Sequence, residues 1–110
     1  MRQFFIDELS PPDVDRLHDF LRNNAASSSI EGLYWVVLSQ DILDPAQFEC
    51  REDHPFCFAV EVGDSWAKFE FLIRSRSNMN SLHTSYASQV QQRFILDYSN
   101  RLIEKLNLST

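Results

Sequence analysis

Between Pro55 and Arg74 the chain reads PFCFAVEVGDSWAKFEFLIR, two alternating apolar runs around Gly63-Asp64. A period of two is what a strand with one buried face requires, and a Gly-Asp pair between two such runs signals a hairpin. The spacing predicts that Val62 pairs with Ser65, so that Val60 faces Ala67, Phe58 faces Phe69 and Phe56 faces Phe71. The opposite face then carries Glu61 against Trp66, Ala59 against Lys68 and Cys57 against Glu70. A slip of one residue would turn the phenylalanines into water, so the choice of inner face is strongly specified.

The flanking segments supply the other elements. Gln3–Ile6 reads as a short strand. Ser10-Pro11-Pro12-Asp13 announces a helix, because Ser10 can accept from free backbone N–H groups and Pro11 lacks only an N–H that has no partner in the first turn. Val14, Leu17 and Leu21 form its apolar stripe, which fades at Asn23-Asn24. A small polar loop, AASSS, ends at Gly32, and the continuous apolar run Leu33–Leu38 is expected to be a strand covered on both faces or central in a sheet. Asp41–Phe48 is expected to hold a short helix starting near Asp44-Pro45. From about Leu82 to Leu106 a long helix is predicted, with Val90, Phe94, Ile95, Tyr98, Leu102 and Leu106 on one broad face and Leu96 and Ile103 on a second, narrower stripe. This order implies an α+β fold: a small antiparallel sheet of about three or four strands around the central hairpin 55–74, with an N-terminal helix and the long C-terminal helix packed on one face. With 110 residues and neither internal repeat nor Pro/Gly-rich linker, residues 1–110 are expected to form a single domain.

Composition narrows the function classes. Residues 1–65 hold four Arg against thirteen Asp or Glu, and residues 66–110 hold six Lys or Arg against three. A net charge of −6 argues against nucleic-acid binding, which depends on neutralising phosphates. No apolar run reaches membrane-span length, and MRQFFIDEL does not read as a secretory signal, so a cytoplasmic location with reduced thiols at Cys50 and Cys57 is expected. With only two glycines, Gly32 and Gly63, neither a P-loop nor a dinucleotide fingerprint can be built.

Few residues point to chemistry. Cys50, His54 and Cys57 are zinc-ligand types, but their spacing matches no familiar finger or ribbon, and the hairpin register turns His54 and Cys57 to opposite faces. His18 among Asp15, Asp19 and Arg22, and His83 beside Ser81, Thr84 and Ser85, lack the surroundings of a catalytic triad. Arg74 and Arg76 alternate toward the face of Trp66 and Lys68, where two guanidinium groups can hold a carboxylate or phosphate. No catalytic residue and no cofactor is expected. The reading is a small interaction or regulatory module, non-enzymatic and homodimeric or bound to another protein. It would meet its partner through Trp66, Lys68, Arg74 and Arg76 or through Leu96 and Ile103. The alternative is a binder of a small anion through Arg74 and Arg76, or of a metal through Cys50, His54 and Cys57.

Overall fold

The structure is a computed structural model and describes residues 2–28, 30–49, 55–75 and 85–108. Strand β1 (Gln3–Ile6) is followed by helix α1 (Pro11–Asn24), β2 (Ala26–Ser27) and β3 (Leu33–Val37). A 3-10 turn (Gln40–Ile42) and the short helix α2 (Pro45–Glu49) lead to β4 (Phe56–Val62), β5 (Ala67–Glu70), β6 (Leu72–Ser75) and β7 (Ser85–Tyr86), and α3 (Gln89–Lys105) comes last. No helix among the described residues is long and apolar enough to cross a membrane.

The fold is α+β with an antiparallel sheet, in the order β1-β5-β4-β3-β2, with β6 beside β4 and β7 beside β6. Among the described residues the sheet has seven strands rather than three or four. Two of the additions, β2 and β7, are two residues long, too short to carry any periodicity. A third comes from a break in the second hairpin strand. Val60 pairs with Phe69 but Cys57 pairs with Arg74, so two extra residues are absorbed around Phe71. There Phe71 N–H donates to Arg2 O (3.0 Å) and Phe71 O accepts from Ala87 N–H (2.7 Å). Such a bulge bends the strand and hands its free side from β1 to β7.

The hairpin register also differs from the expected one by two residues. Val62 pairs with Ala67 and Glu61 with Lys68, because the turn spans Gly63–Trp66 rather than two residues. Gly63 N–H donates to Trp66 O (2.8 Å), and the Trp66 indole folds over Gly63 so closely that a Cβ there would lie 2.2 Å from it. A shift of two preserves the alternation, so the predicted inner and outer faces survive. Phe56, Phe58, Val60, Val62, Ala67 and Phe69 are all buried.

Both long helices carry capping boxes. Ser10 Oγ accepts from Asp13 N–H while Asp13 accepts from Ser10 N–H, and Ser88 and Gln91 do the same for α3. Arg16 pairs with the buried Asp13 and donates from Nε to Leu106 O (2.9 Å), tying the start of α1 to the end of α3. Asn107 (φ 54) and Leu108 close α3, with Leu108 N–H reaching Ile103 O (3.0 Å) in a Schellman arrangement.

Helix α3 begins later than Leu82, at Gln89, because Ser85–Tyr86 is taken by β7. Its buried face also differs from the predicted one in part. Val90 is exposed, and Gln91, Ile95, Ser99 and Leu102 are buried. Gln91 takes a core position because its amide is satisfied: Nε2 donates to Ile42 O (3.0 Å) and Gln47 Oε1 (2.8 Å). Ile103 packs against the core and Leu96 is half-buried, so the predicted second stripe is not an open one along its whole length.

Candidate functional site

The inner face of the sheet meets α1 and α3. Phe58 makes edge contacts with Phe94 (6.5 Å) and Tyr98 (5.7 Å), and Tyr34 meets His18. Strand pairing puts a different set on the outer face. Across β1, β5, β4 and β3 one row is Phe5, Lys68, Glu61 and Leu33. Trp35 lies between Ala26 and Ala59 in a second row, and Arg74, Cys57 and Val37 make a third. Among the described residues no helix is paired with this face, and Phe5, Val37 and Tyr86 are exposed on it.

Its charges are balanced in pairs. Lys68 Nζ is 3.2 Å from Glu61 Oε1, and Arg74 is 3.7 Å from Glu70 Oε2. Arg74 and Trp35 stand on opposite sides of β4, yet the guanidinium lies 5.9 Å from the indole centroid. This cation–π contact therefore crosses β4 and roofs Cys57 and Ala59, outer-face residues that are only 0% and 2% exposed. Arg74 Nε is buried with no hydrogen-bond partner among the described residues. Trp66 stacks on Phe5 with centroids 5.7 Å apart and planes 23° from parallel.

Of the residues singled out in the sequence, Trp66, Lys68 and Arg74 thus share one surface, while Leu96 and Ile103 lie on α3 in the other layer. Arg76, Cys50 and His54 fall outside the described residues, as do Ser81, His83 and Thr84. Cys57 is buried, its Sγ 3.6 Å from Arg74 O, and among the described residues no group of three or more His, Cys, Asp or Glu could hold a metal ion. Sequence reasoning missed Trp35 and Phe5. Both have the alternation of outer-face residues, but that became visible only once β3 and β1 were paired with the hairpin. The run Leu33–Leu38, expected to be covered on both faces, borders the two-residue β2 and leaves Val37 exposed.

A second feature centres on His18. Its Nδ1 is 2.7 Å from the Tyr34 hydroxyl, at the wall of an open cleft of about 500 Å³ bordered by Asp15, Glu31, Gly32, Gly63 and Asp64. Gly32 shapes this wall: its φ is 81, and a Cβ would lie 2.8 Å from Val62 O. Tyr34 is only 5% exposed, so its hydroxyl holds the imidazole in place rather than facing a substrate. The cleft brings carboxylates together without the nucleophile–base geometry of a hydrolytic site.

Comparison with known proteins adds no relative: no family model, no curated protein and no solved structure matches the chain.

Proposed function

We propose that this chain is a small, non-enzymatic interaction or regulatory module that works as a homodimer in the cytoplasm, using the outer face of its sheet. The observation that carries this reading is the asymmetry of the sheet. Its inner face is filled by α1 and α3, while the outer face presents exposed Phe5, Val37 and Tyr86 beside Trp35 and Trp66. Exposed apolar side chains rimmed by polar residues are the mark of an association surface. Self-association is favoured because the surrounding charges cancel, Lys68 with Glu61 and Arg74 with Glu70, on a chain whose net charge is −6. Two acidic copies repel least where neither presents excess charge.

Sedimentation velocity at several concentrations tests the reading. The expected species has twice the 12.9 kDa chain mass and dissociates on dilution. Phe5→Glu on the outer face is expected to weaken it, and Leu96→Asp on α3 is expected to leave it intact. A wild type that sediments as a monomer at every concentration would falsify the homodimer.

One observation favours a second reading, a small anion held at Arg74 with Arg76: the buried Arg74 Nε has no hydrogen-bond partner among the described residues. Thermal shifts with phosphate and with simple carboxylates test this. A rise in Tm for wild type that vanishes in Arg74→Ala supports it, and equal responses remove it.

A further inference from the structure

We infer that the second copy docks on the free edge of β1, as an antiparallel β1–β1 pair that joins two sheets into one; this rests on the homodimer reading and specifies its geometry. The hydrogen-bond pattern identifies the edge. Arg2 O accepts from Phe71 N–H, and antiparallel strands alternate, so Phe4 and Ile6 are the β1 residues bonded to β5. The N–H and C=O groups of Gln3 and Phe5 therefore point away from the sheet, and no hydrogen bond to them occurs among the described residues. Only another extended strand supplies donors and acceptors at that spacing.

The strand also lacks the usual protections of an edge. Gln3-Phe4-Phe5-Ile6 contains no charge and no proline, and Phe5 is 47% exposed. β7 lies along the same side of the bent β5–β6 strand, so the edge continues toward exposed Tyr86, whose ring sits 4.4 Å from the Arg2 guanidinium.

A copy of this chain fits better than an unrelated strand for two reasons. A two-fold axis normal to the sheet keeps each face on its own side, so Phe5 can oppose Phe5 of the second copy. That extends the Trp66–Phe5 stack into a row of four rings on the joined outer face. Lys68 and Arg74 are already paired with Glu61 and Glu70 within each copy, and a Phe5–Phe5 register sets Asp7 against Gln3 of the second copy rather than against a like charge.

Gln3→Pro tests the edge. Gln3 is the first residue of β1 and its N–H faces outward, so proline removes a donor that no bond among the described residues uses. The expected result is a folded monomer, with circular dichroism and Tm like those of dilute wild type, at concentrations where wild type is dimeric. Amide exchange on the unmodified chain gives an independent readout: the Gln3 and Phe5 N–H groups should slow by more than about tenfold on going from monomer to dimer. A Gln3→Pro variant that remains dimeric, or Gln3 and Phe5 amides that exchange equally fast in the dimer, overturns the edge. If Val37→Glu still dissociates that dimer, the homodimer reading stands and docking is through the open face. A wild type that is monomeric throughout overturns both.

Discussion

Phe58 and Ala59 are neighbours on β4 and belong to different worlds. Phe58 points into a closed layer of aromatic and aliphatic side chains shared with α3. Ala59 points the other way, beside Trp35, whose ring meets the Arg74 guanidinium across the strand. Burial on the inner face is produced by layers of secondary structure. Over the centre of the outer face it is produced by two long side chains. The first kind is cooperative and costly to disturb; the second is local and adjustable.

The contrast is broken most severely from the inside. Phe58→Ala leaves a cavity beneath Phe94 and Tyr98 and is expected to cost about 3–5 kcal/mol in urea denaturation. A loss no larger than that of an outer-face substitution would show that the inner layer is not the principal core. Gly63→Ala acts at the join between faces. Its methyl group displaces the Trp66 indole from Gly63 and disturbs the stack on Phe5, for a cost of about 1–3 kcal/mol. Altered tryptophan emission should accompany it, and unchanged emission and stability would mean that the turn relaxes freely.

A pH measurement sharpens the comparison. Burial raises the Tyr98 phenol above its ordinary value of 10.0, more than nearby Arg101 lowers it. The folded protein thus holds this proton at pH values where the unfolded chain has released it. That stabilisation is complete below pH 10.0 and is lost as pH rises through the folded value. Tyr98→Phe should flatten the alkaline fall in stability, and an identical alkaline slope in the variant would count against a buried phenol. The smallest effect belongs to the outer face. Lys68→Ala removes a half-exposed pair with Glu61 and should change stability by less than about 1 kcal/mol. A larger loss would make that ion pair part of the structural framework.

Much of the architecture is written locally. The Ser10 cap, the strand Gln3–Ile6, the strand from Leu33 and the inner face of the hairpin follow from neighbours within a few residues. The hairpin register did not, because a glycine-aspartate pair suggests a two-residue turn. Only the packing of the Trp66 indole on Gly63 lengthens it. On α3, Phe94, Ile95, Tyr98, Leu102 and Leu106 pack inward as the pattern predicts, but Gln91 and Ser99 join them. Hydropathy assigns Gln91 to solvent, whereas the Ile42 carbonyl and the Gln47 amide satisfy it in the interior. Of the proposed surface, Trp66, Lys68 and Arg74 were legible from alternation. Trp35 and Phe5 needed the partners of their strands.

By itself the sequence determined which side chains alternate and where helices can start. Those properties depend on backbone geometry and charge over short distances. The tertiary structure decided which strands are neighbours, where the strand bends at Phe71, and which edge and face remain open. Long-range pairing is set by the sum of many weak contacts between distant segments, and no local pattern encodes that sum.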